Sequence, residues 1–474
     1  MPNFTSLLSI SLLFCLIISS YAEDRAPDQI IEIFRHGART PLHDYDPSWK
    51  SSEFGNLTAV GIRQQYILGK YLASKYPTIF GTPYDPEQVY MLSDITPRCI
   101  QSAYSQLHGI YEGNGPELKQ GFPSSLSVPP NKDARVGDIA NRITGAEALP
   151  NRNIAPIVNI IEKEKTYIFK NNGPECPNGQ KWEKENALDK TAQEGMKIFN
   201  STIKNILKAN SSLSIKTFKE FKAFCATMVV DLADNRTLPY GIGDNKDLVR
   251  NITHAYEFTA YQIWGGQRQQ VELYSFGMID DILKQMEAFK TGKSQRKAVL
   301  YSAHDGNLFS MLSAFGVLNT SCILANFNAS LKGEDLPFKD CFYPYFAANL
   351  IIEFYKATAN ESAAVRVLYN SQVLRFCNGQ EKCSYDDFVK FARNATGNIT
   401  LEAYPEKCGV SVISASQPEA SGSWGKNMTI LVLMVLCLVL MADRINTRRK
   451  RGQQSYFKIE DTKEGGIQLP YTNL

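Results

Sequence analysis

"QIIEIFRHGART" (residues 29–40) runs an apolar, β-branched segment straight into Arg35-His36-Gly37-Ala38-Arg39. A short apolar run that ends in charge reads as a buried strand. Two further segments share the design. "QVYML" (88–92) leads into Ser93-Asp94 and then Arg98, and "KAVLYSA" (297–303) leads into His304-Asp305. Open parallel α/β sheets bind ligands beyond the carboxyl ends of their strands. Strand ends that carry two histidines, three arginines and an aspartate therefore predict a single site.

Between the first two strands, "LTAVGIRQQYILGKYLASKY" (57–76) has helical periodicity, with Leu57, Val60, Gly61, Ile67, Leu68, Tyr71 and Leu72 assigned to one face. A strand–helix–strand unit implies a parallel sheet. "NLFSMLSAFG" (307–316) reads as a short helix stopped by glycine. Residues 126–265 are rich in Asn, Lys, Glu and Pro, with helical stretches at 191–208 and 217–234. The expected fold is α/β: a doubly wound, mostly parallel sheet formed by 23–125 and 266–410, with 126–265 as a mainly helical cap.

The chain has 474 residues and a net charge of +3, which gives no sign of a nucleic-acid binder. The apolar run near the start, followed by Ser20-Tyr21-Ala22, reads as a signal peptide over 1–22. Residues 428–442, "MTILVLMVLCLVLMA", carry no charge and precede Arg444, Arg448, Arg449, Lys450 and Arg451. That is the positive-inside pattern of a transmembrane helix, although 15 residues is short for one. The expectation is a type I membrane protein. Residues 411–427 would be a linker, and 443–474 a cytoplasmic tail. Sequons run from Asn56 to Asn427 and none lies in the tail, which fits a lumenal or extracellular catalytic part. Eight cysteines outside the two apolar ends suggest disulfides in an oxidising compartment. No Cys or His spacing suggests a zinc site.

A phosphate monoester is nearly dianionic, and the planar arginine fork matches its oxygens. Arg35, Arg39 and Arg98 fit such a cradle, and their charge would keep His36 neutral and nucleophilic. Asp305 is the candidate proton donor to the departing alcohol, and His304 a donor to a phosphoryl oxygen. This chemistry needs no metal or other cofactor. His43, His108 and His254 are expected to be structural.

"RHGARTP" (35–41) with "HD" (304–305) resembles the histidine acid phosphatases. So do the 57–76 helix, "RCIQSA" (98–103), "YSAHDGNLFSMLSAFG" (301–316) and "YPYFAANLIIEFY" (343–355), so that the likeness spans 29–408. The resemblance implies phosphorylation of His36, phosphate binding by Arg35, Arg39, Arg98 and His304, and proton donation by Asp305. It implies disulfides Cys176–Cys408 and Cys377–Cys383. Cys322 with Cys341 follows from proximity in sequence, and Cys225 lacks an obvious partner, with Cys99 one option. The chain departs from the family at Gly306-Asn307, where Thr-Thr is usual, and just before Arg98.

The expected activity is metal-independent hydrolysis of phosphate monoesters through a phosphohistidine. A phytase-like enzyme acting on inositol phosphates is one rival, with Lys163, Lys165 and Lys170 as its candidate extra cations. A non-catalytic membrane receptor on the same fold is the other. A homodimer is left open.

"YFKI" (456–459) and "YTNL" (471–474) resemble sorting signals that add a strand to an adaptor, as in membrane-bound lysosomal members of the family. Replacing Tyr456 and Tyr471 by Ala is expected to raise the cell-surface fraction. Surface labelling reads this directly, and an unchanged distribution would rule out the sorting role.

Overall fold

Strand β1 (Gln29–Arg35) is buried at every position and lies at the centre of an eight-stranded sheet. It is described by a computed structural model that covers residues 25–410, apart from 123–126, 131–132, 144, 171–174, 211–212, 340, 342 and 378. The leader, linker, apolar stretch and tail, with Tyr456 and Tyr471, lie outside the described residues. Among the described residues no helix is long and apolar enough to cross a membrane.

Helix α1 (Ala59–Lys75) follows β1, with Thr58 capping its first turn by accepting from the Gly61 amide. Next come β2 (Val89–Ser93), α2 (Pro97–Ile110), the short α3 (Ala134–Ala140) and the edge strand β3 (Asn159–Ile160). Helices α4 (Pro177–Leu188), α5 (Lys190–Ala209), α6 (Phe218–Ala233), α7 (Lys246–Gly265) and α8 (Arg268–Lys290) then run in succession. The chain returns to the sheet as β4 (Ala298–Ala303), then forms α9 (Asp305–Ala314) and α10 (Thr320–Lys332). It closes with β5 (Asn349–Tyr355), β6 (Ala364–Tyr369), β7 (Gln372–Val373), β8 (Cys383–Ser384), α11 (Tyr385–Ala395) and the single turn α12 (Tyr404–Lys407).

The sheet order is β3-β2-β4-β1-β5-β6-β7, with β8 beside β6. The pairs β2–β3, β2–β4 and β1–β4 are parallel, whereas β1–β5, β5–β6, β6–β7 and β6–β8 are antiparallel. The sheet is therefore mixed rather than mostly parallel. Its parallel part holds the three strand ends singled out above. Alternate β1 residues face different cores. Ile30 and Phe34 pack with Leu72, Ala103 and Leu107 of α1 and α2, and Ile31 and Ile33 pack with the helices on the other side. Burial on both faces explains why the strand is apolar at consecutive positions.

The buried face of α1 differs from the expected one. Gly61, Gln65, Gly69 and Leu72 are buried, while Val60 and Ile67 are exposed. Backbone proximity and a hydrogen bond, rather than apolarity, select this face. A Cβ on Gly69 would lie 2.1 Å from the Gln106 carbonyl oxygen, and Gln65 Nε2 donates to the Arg35 carbonyl at 2.8 Å.

Disulfides join Cys176–Cys408, Cys322–Cys341 and Cys377–Cys383. Cys99 and Cys225 are buried thiols and do not pair with each other. Asn251, one of the sequon asparagines, is buried against α10, where its side chain meets Ser330, so it is no surface acceptor.

The loop after β1 lies directly on the start of α1. A Cβ on Gly37 would sit 2.2 Å from the Gly61 carbonyl oxygen, and one on Gly61 would sit 2.1 Å from that of Ala38. Neither backbone can yield without moving His36. Gly61→Ala is expected to cost about 2–3 kcal/mol of stability through this overpacking and to reduce turnover. Urea unfolding beside a rate assay checks both.

Candidate active site

The β1–β4 register pairs Arg35 with Ala303, so the residues following both strands emerge together. The His36 amide donates to the Ala303 carbonyl at 3.0 Å. β2 ends alongside, and α2 then supplies Arg98. His36, Arg39, Arg98, His304 and Asp305 line one cavity of about 530 Å³. Arg35 is 1% exposed and joins the group through Nη2, 2.9 Å from Asp305 Oδ2. The structure thus brings all six predicted residues together.

The hydrogen bonds define the tautomer of His36. Nδ1 lies 2.8 Å from the Gly37 carbonyl oxygen, which only accepts, so Nδ1 carries the proton. Arg98 Nε, which only donates, is 3.0 Å from Nε2. Nε2 therefore presents a lone pair, met by the Arg98 Nε–H. Burial holds the imidazole well below its ordinary pKa, and Arg98, Arg35, His304 and Arg39 add to the effect. The arginines expected to keep His36 neutral do contribute, but desolvation is the larger cause.

Asp305 accepts from Arg35 and from the Tyr256 hydroxyl (3.2 Å) at Oδ2, and from the Gly306 amide (3.0 Å) at Oδ1. Burial pushes this carboxyl up, but Arg35, Lys222, His304 and Arg39 outweigh it and bring it down to about 2. Burial lowers Arg39 to about 10. The Nε atoms of Arg35 and Arg39 are buried without an acceptor among the described residues. Such unmatched donors are costly, and an oxyanion would satisfy them.

His304 Nε2 is 3.0 Å from Asp94 Oδ1. Asp94 is buried, accepts from the Thr96 amide at 2.9 Å, and has Lys170 Nζ 3.3 Å from its Oδ2. Its carboxyl is held far below the usual range: burial opposes this, but the His304 bond and charge, Thr96 and Lys170 prevail. Asp94, Cys99 and His304 bring three possible metal-ligand atoms within 4.8 Å, a grouping the sequence spacing did not reveal. The chemistry of the set is unlike a metal centre. Lys170 already neutralises Asp94, and burial pushes the Cys99 thiol strongly up, away from the thiolate a metal needs.

Sequence reasoning missed Tyr256, Lys222, Trp264 and Glu183 on the cavity wall. It named Asp94 only as part of a strand end, although that position was itself the signal. Of the three lysines weighed, Lys170 lines the cavity, whereas Lys163 and Lys165 do not, and Lys165 pairs with Glu162 at 2.8 Å. His43, expected to be structural, also lines it.

Below the ordinary imidazole value of 6.5, the unfolded chain takes up a proton at His36 that the folded chain refuses. Acid then favours unfolding. His36→Gln removes this linkage. The stability of the variant relative to the parent is expected to rise by about 2 kcal/mol between pH 7.5 and pH 5. Urea unfolding at each pH measures it, and a constant difference would mean that His36 takes up its proton equally in the folded and the unfolded chain.

Residues 28–370 match the Histidine phosphatase superfamily (branch 2). The chain belongs to that family. It is 24% identical over 294 residues to human prostatic acid phosphatase, covering 60% of this chain and 68% of that protein. It is 24% identical over 466 residues to lysosomal acid phosphatase of Xenopus laevis, covering 94% and 93%. The solved phytase of Citrobacter braakii shares the fold, with a TM-score of 0.51 and 14% identity over 78% of this chain and 98% of that one.

Proposed function

We propose that this member of the histidine phosphatase superfamily hydrolyses phosphate monoesters through a phosphohistidine at His36. The observation that carries this is the Nε2 lone pair of a neutral, buried His36, set beside the buried Nε–H groups of Arg35 and Arg39, which have no acceptor among the described residues. Family membership and the acid phosphatase relatives support the same reaction.

Substrate entry draws Arg98 from Nε2 to a phosphoryl oxygen and supplies the acceptors that Arg35 and Arg39 lack. Nε2 attacks phosphorus, the N–P bond forms, and the P–O bond to the alcohol breaks. The alcohol oxygen takes its proton from Asp305. Water then attacks the phosphohistidine, Asp305 recovers a proton from it, and the N–P bond breaks to release phosphate.

With Asp305 held near 2 by its cationic neighbours, the acid must be charged with its proton on binding. A phosphate ester has a second pKa of about 6. Below that the monoanion brings its own proton, and its negative charge offsets the arginines that hold the carboxyl down. This gives a physical reason for activity in acid. A lysosomal or endosomal setting agrees with it, and the lysosomal acid phosphatase relative supports that location. The non-catalytic alternative is weakened because His36 and Asp305 are both present in one cavity.

Acid quenching during turnover of a labelled ester is expected to trap label on His36, and His36→Ala to lose essentially all turnover. Substantial activity in His36→Ala would refute the covalent route. Asp305→Asn is expected to slow alkyl phosphates by about 10²–10⁴-fold and nitrophenyl phosphate far less, because nitrophenolate departs without a proton. Equal losses on both esters would reduce Asp305 to a positioning role.

A further inference from the structure

The cavity holds more positive charge than one phosphoryl group uses. Its wall carries Arg39, Arg98, Lys170, Lys219 and Lys222 against Asp305 and Glu183. Two of these charges are already matched: Asp305 pairs with Arg35 at 2.9 Å, and Lys170 with Asp94 at 3.3 Å. A phosphoryl dianion takes up Arg39 and Arg98. Lys219 and Lys222 then face Glu183 alone, which leaves one cation unbalanced.

Lys222 is the better placed of the two. Lys219 is exposed, whereas Lys222 is partly buried, one turn along α6 from the exposed end. Its ammonium sits 3.5 Å from the centroid of the Trp264 ring, which gives the long side chain a defined resting place. Among the described residues it forms no ion pair, and the carboxylates that act on it through space are Asp305 and Glu183. Burial lowers its pKa to about 8, so it remains charged in acid and neutral solution. Trp264 holds the ammonium in place without neutralising it, so an anion that enters the cavity gains a fixed, unpaired charge to meet. Its through-space partner Asp305 is the proposed proton donor, so Lys222 belongs to the side from which the alcohol departs.

Resting on the phosphomonoesterase activity proposed above, the structure assigns to Lys222, with Trp264 beneath it, a second anion subsite on the leaving-group side. The substrates it favours are phosphate monoesters whose alcohol carries a nearby carboxylate or second phosphate. Lys219 adds positive charge at the same wall, and Glu183 opposes it.

Two ester pairs test this. 2-Phosphoglycerate and glycerol 2-phosphate differ by a carboxylate, and a hexose bisphosphate and hexose 6-phosphate differ by a phosphate. The parent protein is expected to show kcat/KM about tenfold higher for the anionic member of at least one pair. The pair that shows it identifies the chemistry of the distal group. Lys222→Met is expected to shrink the gap to about twofold and Lys222→Arg to retain it. Lys204→Met, an exposed charge loss on α5, is expected to leave it unchanged. Absence of a gap in the parent overturns the subsite, as does a gap that survives Lys222→Met or falls equally in Lys204→Met. If nitrophenyl phosphate is still hydrolysed, only the subsite fails. If no ester is hydrolysed, the activity itself fails and the subsite with it. Should Lys222→Met not fold, Trp264→Leu provides the second test, with the same loss of preference expected and a retained gap counting against the subsite.

Discussion

The ion pair between Arg35 and Asp305 is the constraint on which the rest of the site depends. Arg35 heads the largest fully buried side chains, at 1% exposure, and it sits at the end of the central strand. A guanidinium cannot be carried into a sheet core alone, because breaking such a pair leaves a buried charge without compensation. The parallel register of β1 and β4 supplies the partner: Arg35 stands opposite Ala303, two residues before Asp305. Strand pairing and charge pairing therefore specify each other. In the reaction proposed above the pair also has a functional side, since a phosphoryl group would compete with Asp305 for Arg35 and loosen the hold that keeps the carboxyl ionised.

His36 illustrates how burial and charge cooperate. Desolvation alone disfavours the imidazolium, and four neighbouring cationic or titratable groups push the same way. His304 experiences a similar loss of water, but Asp94 opposes it at 3.0 Å. Two histidines at adjacent strand ends thus have different environments. One presents a lone pair towards the cavity, and the other has a carboxylate to support a hydrogen-bonding role. Differences of this kind are how one site assigns nucleophile and donor to the same residue type.

The site was legible because its residues lie next to strands. The apolar runs before His36 and His304 marked buried strands, and the charges that follow them had nowhere to be except beyond their ends. The α1 face was misread because its burial is driven by glycine contacts and by Gln65, neither of which adds to an apolar pattern. The antiparallel half of the sheet was missed for a different reason: a buried strand such as β5 looks the same in either direction. Lys222, Trp264 and Tyr256 come from helices more than 80 residues away in sequence from β2 and reach the cavity only through tertiary packing. No local spacing distinguishes them from the other lysines and aromatics of those helices.

The departure at Gly306-Asn307 shows how the site tolerates a changed motif. Asn307 Oδ1 accepts from the His304 amide at 3.1 Å, which caps α9, while its Nδ2 donates to the Phe169 carbonyl at 2.8 Å. The residue after Phe169 is Lys170, which pairs with Asp94, and Asp94 in turn holds His304. These contacts close a ring around His304 that joins the residue after β2 to the segment after β3. An asparagine, with an acceptor and a donor on one planar group, can serve both links at once, whereas a hydroxyl offers a shorter reach. A Cβ on Gly306 would meet nothing within 4 Å, so space remains beside Asp305. The polar ring fixes the orientation of His304, and the open space at Gly306 lies next to Asp305, the residue to which the proposed reaction assigns the proton.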